Sequence, residues 1–154
     1  WKELFDKLSI ESATWERDGQ DVFVGSSYLF LSPRDLAKIG LLYLNNGKWQ
    51  NDQILPEDWV KYTTTANRAW KNIQKDAEKP KLAYGAHWWL NVGNKHGPYH
   101  PSAPENVYMA LGHHGQILAV FPDQKIIFVR MAADKKAKID RTKIFKFIMD
   151  GLKQ

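Results

Sequence analysis

Cysteine is absent from the 154 residues, which excludes disulfides, thiolate catalysis and cysteine-ligated zinc while leaving the redox compartment open. No apolar run reaches the roughly 20 residues of a membrane-spanning helix, and no stretch has the make-up of a secretory leader. Clustered charge is scarce too. The formal net charge is +5, yet the lysines are scattered, and the one tight basic run is Lys135-Lys136-Ala137-Lys138 beside Asp134. Such a run reads as a solvated loop, not a nucleic-acid patch. Internal repeats and low-complexity segments are missing. What is present is 44% hydrophobic residues with seven tryptophans, which excludes general disorder. A chain of this length suits one domain burying roughly two-thirds of its unfolded surface.

The opening WKELFDKL carries Trp1, Leu4, Phe5 and Leu8 at helical spacing without a starting methionine or a cap, so a helix already under way is predicted and the chain reads as a cut one. Residues 10–31 lack a sustained period and suit an ordered loop. SPRDLAKIGLLYLNNG is the most distinct helix signal: Ser32 as N-cap, Pro33 at the first position, Asp35 completing a capping box, and Asn46-Gly47 as a left-handed stop. Its buried face is expected to be Leu36, Ile39 and Tyr43, with Gly40 beside them. KWQNDQIL reads as a short extended arm, and PEDWVKYTTT opens as a helix N-terminus should. Residues 66–82 are lysine-rich and aperiodic, a surface excursion. YGAHWWLNV reads as one strand, and the proline-rich residues 93–105 as a loop.

From Asn106 the pattern is a meander. NVYMALG, QILAVF and KIIFVRMA are three strand-like runs, the last two joined by a turn at Pro122-Asp123-Gln124. Two of them are apolar at nearly every position, so both sheet faces should be covered. One cover is expected from DRTKIFKFIMDGL, with Asp140 as cap and a stripe of Ile144, Phe145, Ile148, Met149 and Leu152. The fold class predicted is α+β, an antiparallel sheet of three or four strands flanked by helices. Residues 1–80 hold helices and loops, and residues 81–154 hold the sheet and C-terminal helix.

The chemistry narrows to Gly112-His113-His114-Gly115. Adjacent strand side chains point to opposite faces, so His113 and His114 cannot easily share a metal ion, and no spacing recruits His87, His96 or His100; no metal or cofactor is implied. None of the six serines has lysine three residues on or lies in G-x-S-x-G, and Ser32 serves as a cap. The acid pairs Glu57-Asp58 and Asp18 to Asp21 fit a helix start and a loop. Two readings of the glycines stay open: a two-residue hairpin, or a close approach that aims a free amide at a substrate oxygen.

The segments GSSYLFLSPRDLAKIGLLYLNNGKWQNDQILPEDWV, YGAHWWLN and YMALGHHGQILAVFPDQKIIFVRMA, in that order, resemble the second half of the serine β-lactamase-like family. That family includes class C β-lactamases, D-alanyl-D-alanine carboxypeptidases, related esterases and 6-aminohexanoate-oligomer hydrolases. The resemblance runs from about residue 1 to residue 152 and is strongest to the esterase and amide-hydrolase branch. It implies an incomplete β-lactamase/transpeptidase-like fold, from an enzyme that acylates a serine in Ser-x-x-Lys with help from a Tyr-x-Asn-like tyrosine. Both motifs would precede this segment. Tyr43-Leu44-Asn45 spells the second one, but on the apolar stripe of a capped helix it is a core tyrosine.

The family's third motif, Lys-Thr-Gly or His-x-Gly, maps in one of two registers. Either Ala110-Leu111-Gly112 replaces it and the His113 backbone amide becomes an oxyanion donor, or His113-His114-Gly115 replaces it and the donor moves to Gln116. The Gly-x-x-Gly-Gln pattern before an apolar strand and a proline favours the first. Neither register leaves a lysine to hold a substrate carboxylate, as β-lactamases and carboxypeptidases commonly do. The resemblance thus implies a small ester or amide substrate for the intact protein and no activity for this chain alone. It also implies a sheet edge deprived of its usual neighbours, open to self-association. The rival reading is a non-catalytic module binding a cell-wall or peptide ligand along YGAHWWLN and the proline-rich loop at residues 93–105.

Overall fold

The computed structural model describes residues 1–75, 77–135 and 139–153 of the chain. Residues 2–9 form turns, followed by a two-strand ribbon of β1 (Thr14–Trp15) and β2 (Leu29–Phe30). Next come helix α1 (Pro33–Leu44), the hairpin β3 (Lys48–Trp49) and β4 (Asp52–Gln53), and helices α2 (Glu57–Thr63) and α3 (Arg68–Lys75). The main sheet has five antiparallel strands in chain order: β5 (Ala83–Tyr84), β6 (Trp89–Leu90), β7 (Tyr108–Leu111), β8 (Ile117–Phe121) and β9 (Ile126–Arg130). Helix α4 (Arg141–Gly151) closes the chain. The α+β class and antiparallel sheet are as expected, with one strand more than the upper expectation.

The sheet is sandwiched. Leu118 and Val120 of β8 face one way, with Trp88, Leu90 and Tyr108, onto Leu36, Ile39 and Tyr43 of α1. Ile117, Ala119 and Phe121 face the other way onto Phe145, Ile148 and Met149 of α4. All five residues of β8 are buried, which is why that strand has no polar alternation. Gly40 lets α1 approach closely: a Cβ there would lie 2.9 Å from both Ile127 Cγ2 and Leu118 Cδ1.

Helix α1 starts as its sequence requires, with the Asp35 amide donating to Ser32 Oγ at 3.2 Å and Pro33 at the first turn. The return half of the capping box runs through Ser12 instead. Ser32 N–H donates to Ser12 Oγ (2.8 Å), and Ser12 donates both its hydroxyl (2.5 Å) and its amide (3.2 Å) to Asp35. Asp35 also pairs with Lys38 at 2.8 Å, and the hydrogen bonds from Lys38 and Ser12 hold its carboxyl well below the usual range. At the other end Asn46 and Gly47 take positive φ, and Gly47 N–H bonds to Leu42 O at 2.8 Å.

Several local expectations are corrected. Residues 1–8 are not a helix: the Trp1 carbonyl accepts from Leu4, Phe5 and Asp6 together, and Ser9 turns at φ 49°. Their apolar spacing serves a small cluster of Phe5, Leu8, Ile10 and Leu42, and an uncapped stretch this short has little independent tendency to propagate a helix. The arm at residues 48–55 is a hairpin, turned by Gln50 at φ 53°. Residues 66–82 contain α3, started by Asn67 Oδ1 accepting from the Trp70 amide (2.8 Å). YGAHWWLN is two paired strands, because His87 at φ 68° reverses the chain and Gly85 N–H bonds to Trp88 O (2.8 Å). Leu152 is 50% exposed and leaves the α4 stripe. Of the basic run, Lys136 to Lys138 lie outside the described residues.

Candidate functional site

Strand β7 ends at Leu111 and β8 starts at Ile117, so the connection is five residues and not the two-residue hairpin that the glycines suggested. Gly112 stays extended (φ −106°, ψ 171°), and its N–H bonds to Gln116 O at 2.9 Å. A single 3-10 turn follows over His113–Gly115, with His114 at φ 54° and Gly115 at φ 87°. His113 opens that turn, so its N–H has no acceptor within it. The Gln116 amide is engaged, closing back on His113 O at 3.4 Å.

The turn is pinned from the far side of the hairpin. Arg130, the last residue of β9, donates through Nη1 to Gly115 O (2.8 Å) and makes a forked pair with Asp134, at 2.9 Å through Nη1 and 3.0 Å through Nη2. Asp134 N–H donates to His114 O (3.0 Å), and His114 Nδ1 lies 3.0 Å from Asp134 O. A carbonyl only accepts, so Nδ1 carries the proton. The Gln116 side chain brackets the Ala132 backbone, donating to its carbonyl and accepting its N–H at 3.0 Å. Arg130 holds the Asp134 carboxyl below the usual range, chiefly by its hydrogen bond. A Cβ on Gly115 would meet both Arg130 Nη1 and Asp134 Oδ2 at 2.6 Å, so any other residue must displace the clasp as well as hold a positive φ. Sequence reasoning missed Arg130 and Asp134; their signal is a basic strand end with an acid four residues on, which is common on any surface.

The structure thus gathers Gly112, His113, His114, Gly115 and Gln116 into one turn with exposed His113 and His114 rings 3.8 Å apart. Among the described residues, no three His, Asp or Glu side chains converge as a metal site. Tyr43 packs against Trp88 at 4.7 Å, a core position. Two open clefts, of about 520 and 600 Å³, lie elsewhere: one by Asp58, Lys61, Tyr62 and Asn67, the other beside Tyr43, Val60 and Tyr108. Neither includes the 112–116 turn. Trp88 is 5% exposed and belongs to the core, whereas Trp89 and Tyr84 pack on each other and are half-buried.

No protein-family model matches the sequence, and no curated protein matches it. Solved structures do match. The chain superposes on a "Putative 6-aminohexanoate-dimer hydrolase from Bacillus anthracis" with a TM-score of 0.75 at 20% identity, over 99% of this chain and 37% of that one. It also superposes on a "putative beta-lactamase from Bacteroides dorei DSM 17855" with a TM-score of 0.59 at 12% identity, over 97% of this chain and 49% of that one. The fold is therefore β-lactamase-like, and the chain spans between about a third and a half of the length of these structures.

Proposed function

We propose that this chain is the C-terminal part of a β-lactamase-like serine hydrolase that cleaves ester or amide bonds through an acyl-enzyme, with the His113 amide as one of two oxyanion donors. The observation that carries the reading is the 112–116 turn, whose His113 amide lacks an acceptor within the turn while its neighbours are fixed by Arg130, Asp134 and Gln116. A donor aimed at developing charge must be preorganised, and a clasped turn at the end of a buried strand supplies that. The engaged Gln116 amide supports the His113 register over the alternative. The rival reading, a binding module, needs an aromatic face; Trp88 is in the core and does not contribute to one, while Trp89 is half-buried.

One oxyanion donor is typically worth about a hundred- to a thousandfold in rate, but only when a nucleophile generates the oxyanion. No serine here has lysine three residues on. The 154-residue chain should therefore leave an activated aryl ester and a chromogenic cephalosporin at the background rate. A chain extended through its upstream coding sequence should carry Ser-x-x-Lys, hydrolyse the ester and take one fluorophosphonate label on that serine. Turnover by the shorter chain, or an upstream sequence without Ser-x-x-Lys, would contradict the proposal.

A further inference from the structure

Adjacent in sequence, His113 and His114 would face opposite ways in a strand and share no ligand. The structure removes that premise. The two residues lie in the 3-10 turn between β7 and β8, where His114 takes φ 54° and ψ 25°. Their ring centroids come to 3.8 Å apart, with the planes inclined at 55°. Both side chains are exposed, and neither belongs to a core cluster.

The His114 ring is already oriented as metal-bound imidazoles usually are. Its Nδ1–H donates to the Asp134 carbonyl at 3.0 Å, which leaves the Nε2 lone pair free and fixes its direction. That carbonyl is held in turn, because the Asp134 N–H donates to His114 O at 3.0 Å. The Asp134 carboxylate does not compete for the ring: Arg130 takes its two oxygens at 2.9 and 3.0 Å. The exposed His113 ring has no such tether among the described residues, so rotating it toward its neighbour breaks no hydrogen bond.

The ring spacing selects the ion. An imidazole nitrogen binds a metal at about 2.0 Å, which puts the ring centroid about 3.1 Å from the ion. Two imidazoles at the tetrahedral angle of zinc then stand about 5.1 Å apart, and two on adjacent corners of a square about 4.4 Å. The observed 3.8 Å needs the smaller opening to reach the square arrangement. Copper(II) prefers that tetragonal geometry and also heads the affinity order for nitrogen ligands. We propose that His113 and His114 form a bidentate copper(II) site, with the imidazoles on adjacent corners of the metal's square plane and water on the other two. Both ligands and the tether lie within residues 113–134, so the site draws on no other part of the protein. The inference does not depend on the hydrolase reading.

Calorimetric titration of the 154-residue chain with copper(II) in glycine buffer tests it, since glycine outcompetes isolated histidines. One ion per chain is expected, and pulsed electron paramagnetic resonance should count two equatorial imidazoles. His113→Gln and His114→Asn each leave a single imidazole and should weaken binding at least about tenfold. His87→Asn and His96→Gln replace the other exposed histidines and should change it by less than about twofold. Asparagine serves at 87 and 114 because it tolerates the positive φ there. All four positions are exposed, so each variant should keep the circular dichroism spectrum of the parent chain. No ion bound in the presence of glycine, a spectrum with one imidazole, or an affinity that follows His87 or His96 and not the pair would overturn the proposal.

Discussion

His100 is the one buried histidine of five, 2% exposed, and it ties three parts of the molecule together. Its Nδ1 lies 2.8 Å from Thr142 Oγ1 in the first turn of α4, and its amide donates to Asn91 Oδ1 at 2.8 Å. Asn91 in turn donates to the carbonyls of His100, Ala103 and Pro104, holding the proline-rich loop to the sheet. Burial, and next the nearby Arg141 cation, depress the His100 pKa to about 4, against a smaller opposing pull from Asp140. An unfolded histidine takes its proton near pH 6.5. Between 6.5 and 4 the unfolded state therefore binds more protons than the folded one. The His100 contribution to stability should be full above pH 6.5 and fall as pH drops, by about 3 kcal/mol across the window. Urea midpoints for the chain and His100→Gln should separate this: the variant loses less between pH 7 and pH 4. Parallel losses in the two proteins would refute the assignment.

At the scale of elements, α1 shows how a local signal and a distant residue combine. Ser32, Pro33 and Asn46-Gly47 mark its ends in sequence because caps act within a few residues. The role of Ser12 could not be read there, since it reaches Asp35 across 23 positions. Ser12→Ala would leave the buried Asp35 with Lys38 as its main partner and free the Ser32 amide. It should lower stability by about 1–3 kcal/mol, checked by chemical denaturation. A change within a few tenths of a kcal/mol would show that water replaces the hydroxyl. Other elements were illegible for similar reasons. Helix α3 presents only Ala69, Trp70 and Ile73 as apolar signals among polar and basic residues. The β5–β6 hairpin turns on His87 at positive φ, which its residue type does not announce.

For the molecule as a whole, the alternation of covers was legible because two strands apolar at nearly every position demand a layer on each face, and α1 and α4 provide them. The candidate turn was legible as Gly112 to Gln116, but its shape was not. The five-residue connection and the clasp from Arg130 and Asp134 depend on β9 returning beside β8, a contact outside any local pattern. The central claim is that the His113 amide receives the oxyanion of an acyl-transfer reaction. The most direct test is a structure of the full encoded chain carrying a boronate or phosphonate on its nucleophile. The account predicts the adduct oxygen about 2.7–3.1 Å from His113 N, with Gln116 N still turned to His113 O. An adduct oxygen bonded to the Gln116 amide, or to no group of residues 112–116, would contradict it.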